Sequence, residues 1–184
     1  MISERAKTSL NEMVMQGMRS SLIGPTDTAL SLEPVAHIEP VTEAEVVMLS
    51  VASYQFRLMI LIYFSRDALT QAHFARLTRT EPAHFDAQAF NDAVAESGNM
   101  CCGTFNRELG RAFPHIGMST PNMIDSRCAE HLSLLHYGHL QHFALQLQSG
   151  MRFRASLCVT EYQDLDFALE PPAQAESTGE LEFF

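Results

Sequence analysis

Asn91–Arg107 reads NDAVAESGNMCCGTFNR, and its periodicity decides how the rest of the chain is placed around it. At 100° per residue, Phe90, Val94, Cys101, Phe105 and Ala112 fall within roughly 60° of one another, which is the apolar stripe of a core-facing helix. Asp92, Glu96, Asn99, Gly103 and Asn106 gather within roughly 80° on the opposite side. Glu96 and Asn99 are three residues apart, so their side chains are neighbours on the solvent face. Gly103 lowers the helix surface one turn further on, at a cost of ~1 kcal/mol in helix propensity. A glycine pair inside one helix, Gly98 and Gly103, needs a reason; close approach of another backbone is one, and the helix's own packing is another.

Before this helix, residues 3–22 repeat Leu10, Val14, Met18 and Leu22 at four-residue spacing, the mark of an amphipathic helix that Gly24-Pro25 ends. Ser31–Glu39 is expected to form a strand broken by Pro34 and ended by Pro40. Glu45–Ser53 and Phe56–Phe64 are two more, joined at Tyr54-Gln55 as an antiparallel hairpin. FRLMILIYF is apolar almost throughout, so the third strand is expected to be central and covered on both faces. Ser65 is a good cap for a helix over Arg66–Leu77, with Asp67 favourable near its positive end. Thr80-Glu81-Pro82 marks another helix start.

After Phe113-Pro114, Ile116–Ile124 reads as a strand whose ladder Pro121 limits. For residues 126–139 a short helix and an irregular edge strand fit equally well. Phe143, Leu145 and Leu147, then Met151, Phe153, Ala155, Leu157 and Val159, alternate with polar or small residues across a Ser149-Gly150 turn, the pattern of a half-buried hairpin. The fold class that follows is α/β (α+β): a mostly antiparallel sheet of about six strands with long α-helices packed on it.

With 184 residues, 46% hydrophobic and 18% charged, the chain has the composition of an ordinary globular domain. A net charge of −10 with twelve basic residues argues against nucleic acid as a partner. The longest apolar run, Leu58–Phe64, is too short for membrane insertion. Glu4, Arg5, Lys7 and Glu12 interrupt any signal-peptide core, and Cys101, Cys102, Cys128 and Cys158 form no C-x-x-C or disulfide framework. These features are those of a cytoplasmic protein with reduced thiols. Residues 163–184 hold six acidic and no basic residues together with Pro171-Pro172. The expected division is therefore a domain over 1–162 and a disordered tail over 163–184.

The run Glu96-Ser-Gly-Asn99-Met-x-x-Gly103 resembles the E-x-x-N signature of the chemotaxis phosphatases CheX, CheC and FliY. Downstream, His115-Ile-Gly-Met-Ser-Thr-Pro121 is similar to the strand that follows this helix in CheX. Of fifteen glutamates, only Glu96 has asparagine three residues on. The order of elements agrees over roughly residues 8–162, and a single E-x-x-N helix makes CheX the nearest pattern. The departures are Ser97 within the motif, the histidine-rich segment and the tail.

The resemblance implies a hydrolase that removes the aspartyl phosphate of a CheY-like response-regulator receiver and so ends a chemotaxis or two-component signal. Catalytic roles carry over to Glu96, which would pair with a receiver lysine, and to Asn99, whose amide would orient the attacking water. Asp92, Met100, Gly103 and Asn106 would contact the partner. No cofactor is implied on this chain; Mg²⁺ would come with the receiver. A homodimer is also implied, and the two alternating C-terminal strands are expected to present edges for it. The alternative is a non-catalytic docking or dimerisation module that binds a receiver or flagellar switch component. Cys128, His131, His136, His139 and His142 invite a metal, but their spacings match no standard zinc pattern, and His139 and His142 on one strand would face opposite ways.

Overall fold

The computed structural model describes residues 1–38 and 41–169. Helix α1 spans Glu4–Leu22, capped by the Ser3 hydroxyl, which accepts from the Ala6 amide. Leu10, Val14, Met18 and Leu22 are all buried, as their spacing requires. Strands β1 (Ala29–Val35), β2 (Glu45–Ala52) and β3 (Phe56–Phe64) follow, then helix α2 (Ala68–Leu77) and the long helix α3 (Ala87–Ala112). Strands β4 (Gly117–Met118), β5 (Asn122–Asp125), β6 (His139–Leu147) and β7 (Arg152–Glu161) complete the order.

Among the described residues these strands make one seven-stranded sheet in the order β1-β6-β7-β3-β2-β4, with β5 also on β2, and every pairing is antiparallel. The count exceeds six because the segment expected over 116–124 divides. Gly117–Met118 pairs with the far end of β2 and Asn122–Asp125 with its near end. Between them Pro121 has no amide to give. Ser119 keeps the ladder in contact there: its hydroxyl accepts from the Ser50 amide and its own amide donates to the Ser50 carbonyl.

Central β3 is covered on both faces. Phe56, Leu58, Ile60, Ile62 and Phe64 enter the main core between the sheet and the helices. Leu61 and Tyr63 enter a smaller cluster with Ile38, Val46 and Leu132 on the other face. That second face is roofed by Ser126–Leu135, which is a 3-10 helix.

Several sequence expectations are corrected. Helix α2 starts two residues later than Ser65 suggests, because the Asp67 carboxylate takes the capping bond from Thr70 N at 2.8 Å. Strand β1 is Ala29–Val35, earlier than expected, and Glu39 and Pro40 lie outside the described residues. Strands β6 and β7 are interior, since β1 covers β6 and β3 covers β7. The sheet edges are therefore β1 and the β4/β5 lane.

The expected boundary at 162 also falls too early. Leu165 is buried, its amide donates to the Met1 carbonyl and its carbonyl accepts from Ser3. Phe167 packs edge-on against Phe113 with ring centroids 5.3 Å apart, and the Leu169 amide donates to the Ser9 hydroxyl at 2.9 Å. Two apolar side chains in an acidic stretch find a ready seam between helix ends, and that outweighs composition. Residues 170–184 lie outside the described residues.

Candidate functional site

Helix α3 begins at Asp86, whose carboxylate accepts from Ala89 N at 2.9 Å, and its two faces have opposite environments. On the inner face Phe90, Val94, Cys101, Phe105 and Leu109 are buried, together with Ala93, Ser97, Gly98, Cys102 and Thr104. Ala112, placed on this stripe by the sequence, is exposed. Glycine sets the depth at which α3 is seated. A Cβ on Gly98 would stand 2.8 Å from Leu49 Cδ1 and 3.2 Å from Val47 Cγ2 of β2. A Cβ on Gly17 of α1 would stand 2.6 Å from Cys101 Sγ and 3.0 Å from its carbonyl oxygen. The helix is thus clamped between a strand and a second helix by two close approaches.

Its N-terminal half is pinned as well. Arg66 donates to Glu45 and, at 2.7 Å, to the Asn91 side-chain oxygen, with its guanidinium over the Phe90 ring. A rigid support is what a surface presenting few groups needs in order to hold them in register.

On the outer face, Asp92, Glu96 and Asn106 are exposed, Asn99 is half-buried, and Met100 is 48% exposed. Asp92 accepts from Gln88 at 2.8 Å. Among the described residues, no ion pair or hydrogen bond engages the side chains of Glu96 or Asn99. A Cβ built on Gly103 meets nothing within 4 Å. All six residues singled out in the sequence therefore share one accessible face, an acid and an amide beside a bare stretch of helix.

The cysteines beneath this face are poor nucleophiles. Burial pushes the Cys101 and Cys102 thiols up to about 12, so neither supplies thiolate near neutrality. The histidines are not gathered either. His139 faces α1, where its Nε2 is 2.9 Å from Asn11 Oδ1. His142 points to the other side of the sheet, its Nδ1 2.8 Å from Ser156 Oγ. His73 is a buried histidine, whose Nε2 lies 3.0 Å from the Leu22 carbonyl under Phe74 and Phe153. Its position in a helical pattern of mixed polarity gave no hint of burial.

No protein-family model matches the sequence, and no curated protein matches it. Solved structures do match its shape. The CheX–CheY–BeF3–Mg²⁺ complex from Borrelia burgdorferi superposes with a TM-score of 0.58 at 17% identity, over 84% of this chain and 97% of that one. The chemotaxis protein CheX from Vibrio vulnificus gives 0.55 at 16%, over 85% and 99%. A CheC-like superfamily protein from Shewanella sp. PV-4 gives 0.54 at 12%, over 83% and 95%.

This chain has the CheX/CheC-like fold. At such identities the likeness is one of architecture, and nearly the whole of each CheX/CheC-like chain is covered. No helix among the described residues is long and apolar enough to cross a membrane.

Proposed function

We propose that the outer face of α3 docks a phosphorylated CheY-like receiver and that the chain hydrolyses its aspartyl phosphate. The observation that carries this reading is the pairing of Glu96 and Asn99, accessible and uncommitted, on a helix clamped from beneath by Gly17 and Gly98. The CheX/CheC-like fold, shared with a CheX found in complex with CheY, supports the choice of partner.

In this mechanism the chain makes no covalent intermediate. The Asn99 amide holds a water in line with the phosphorus, accepting from it and donating to a phosphoryl oxygen, so that attack needs no further reorganisation. Glu96 pairs with a receiver lysine and sets the register of docking. Asp92, Met100 and Asn106 line the contact, and Gly103 lets the receiver's loops approach the helix backbone. The receiver brings the Mg²⁺ that neutralises the phosphoryl charge. Adding the protein to receivers phosphorylated with acetyl phosphate tests the reading: one of them should lose phosphate faster. Binding with no acceleration would leave a docking module in its place.

The homodimer belongs to the same proposal, on a different surface from the one first expected. With β6 and β7 interior, the edges are β1 and the β4/β5 lane, and β1 is the longer strand, with Leu30 60% exposed on it beside backbone that among the described residues pairs only with β6. Light scattering should then give twice the 20.5 kDa chain mass. A monomer at micromolar concentration would remove this part.

A further inference from the structure

The accessible face of α3 carries opposite charges at its two ends. At 100° per residue, Asp92, Glu96, Met100, Gly103, Arg107 and Arg111 fall within roughly 100° of one another and share one face. Its N-terminal half is acidic, with Asp92 and Glu96 exposed. Arg66, which reaches Asn91 there, is committed to Glu45 at 2.9 Å and leaves that acidity in place. The C-terminal half is basic. Arg107 and Arg111 are 60% and 57% exposed, and both pair with one carboxylate, Glu108, which is 10% exposed. Two cations on one anion leave this end with a surplus positive charge.

Glu108 holds Arg107 through Nε at 3.0 Å and Arg111 through Nη1 at 2.8 Å. Among the described residues no other hydrogen bond or ion pair engages either guanidinium. Each has five donors in a rigid fork, so each keeps donors on its exposed side. A sheltered anchor also removes part of the side-chain entropy that an exposed arginine loses on binding. Arg111, in the last turn, favours the negative end of the helix. Arg107 lies more than one turn in from Ala112, where that field has fallen off. The two ends are electrically separate: Glu96 and Arg107 are about 16 Å apart along the axis, against a screening length of about 8 Å in physiological salt.

We propose that Arg107 and Arg111 extend the docking face and select a receiver that presents carboxylates to them. This rests on the reading of α3 as the receiver site and adds a polarity to it. The receiver's lysine meets Glu96, its acidic patch meets Arg107 about 16 Å further along, and the partner is seated in one direction only. Between the two ends Met100 is 48% exposed, and a Cβ on Gly103 or Gly110 would meet nothing within 4 Å. The chain as a whole has a net charge of −10, so a local cationic end is what draws an acidic partner to this face. A receiver that is basic at that position meets two guanidiniums with no counter-charge, and is rejected as well as unattracted.

The test follows dephosphorylation by the full chain of purified receiver domains treated with acetyl phosphate, at low and high salt. For the receiver that is hydrolysed, Arg107→Glu/Arg111→Glu should raise KM roughly ten-fold at low salt and less at high salt, with kcat unchanged. Reversal also sets Glu108 among like charges, so Arg107→Gln/Arg111→Gln is measured beside it. That pair should raise KM by a smaller factor, and it decides the question if the reversed chain fails to fold. Arg107→Lys/Arg111→Lys keeps the charge and should recover most of the loss. The effect should add to that of Glu96→Ala, because the two ends meet different groups on the partner. If the receiver is bound but not hydrolysed, Kd takes the place of KM. An unchanged KM and salt dependence in both the reversed and the glutamine pairs would overturn the proposal and leave the reading of the site standing. A fall in kcat at constant KM would overturn it as well. A native chain that neither binds nor hydrolyses any receiver would bring down the reading of α3 and this inference together.

Discussion

Gly98 and Gly103 sit on one helix, five residues apart, and do opposite jobs. At Gly98 the missing side chain is a fit: strand β2 fills the space, and a methyl group there would press into Leu49 and Val47. At Gly103 the missing side chain is a vacancy facing solvent. A helix gives up about 1 kcal/mol for each glycine in its interior. At Gly98 the sheet contact returns that cost within the fold. At Gly103 no contact among the described residues returns it, which is in keeping with the docking surface proposed for this face. The inner face of α3 is set by packing and the outer face is the one proposed to meet a partner, and substitutions should separate the two cleanly.

The widest separation is expected at Asn99. Asn99→Ala should cut receiver dephosphorylation by roughly 10²-fold or more while binding persists, because a positioned amide contributes mainly in the transition state. Glu96→Ala should instead weaken binding and reduce its dependence on salt. Both variants should keep their stability within about 0.5 kcal/mol. Full activity in Asn99→Ala would break the comparison on its outer side, and unfolding of that variant would mean the two faces are reversed.

On the inner side, Gly98→Val should cost about 1–3 kcal/mol by overpacking, which is roughly 2–4 °C of Tm per kcal/mol at this chain length. Leu49 and Val47 are fully buried and can move only by disturbing their neighbours. A Tm equal to that of the parent would show that α3 is seated less tightly than the close approach indicates.

A pH titration tests the inner packing without touching α3. Burial holds the His73 imidazole below its usual range. Above about pH 6.5 both folded and unfolded chains carry it neutral, and its contribution is fully present. As pH falls below that value the unfolded chain takes the proton first, so stability is lost until the folded-state value is reached. His73→Gln, which can still donate to the Leu22 carbonyl, should give a shallower fall of Tm between pH 7 and 5. An unchanged slope would assign the acid sensitivity elsewhere.

The smallest effect is expected at Gly103. Gly103→Ala should leave stability unchanged or raise it by up to about 1 kcal/mol while weakening receiver binding. Gain of stability with unaltered binding would remove Gly103 from the docking surface.

The accessible face of α3 was legible because it depends on one helix. Period 3.6 assigns Asp92, Glu96, Asn99, Gly103 and Asn106 to the accessible side without any knowledge of neighbours, and the structure puts them there. Strand β3 was legible for a related reason: an apolar run of nine residues allows few alternatives, and Phe56–Phe64 is the strand observed. Where composition stood in for contacts, the sequence misled. The acidic stretch from 163 on reads as solvated, yet Leu165 and Phe167 are held by α1 and Phe113. Ser65 and Asp67 are both good caps, and only the path of the chain out of β3 selects Asp67.

What the sequence determined by itself is the local order: the helices, most of the strands, and which side of α3 is wet. These follow from period and capping, which act over a few residues. Only the tertiary structure decided which strand lies beside which, and so that β6 and β7 are interior while β1 is an edge. Pairings such as Ala29 with Leu147 join residues far apart in the chain, and no local pattern encodes them. The different uses of Gly98 and Gly103 were decided the same way, because a glycine's purpose is set by the atoms that come to lie against it.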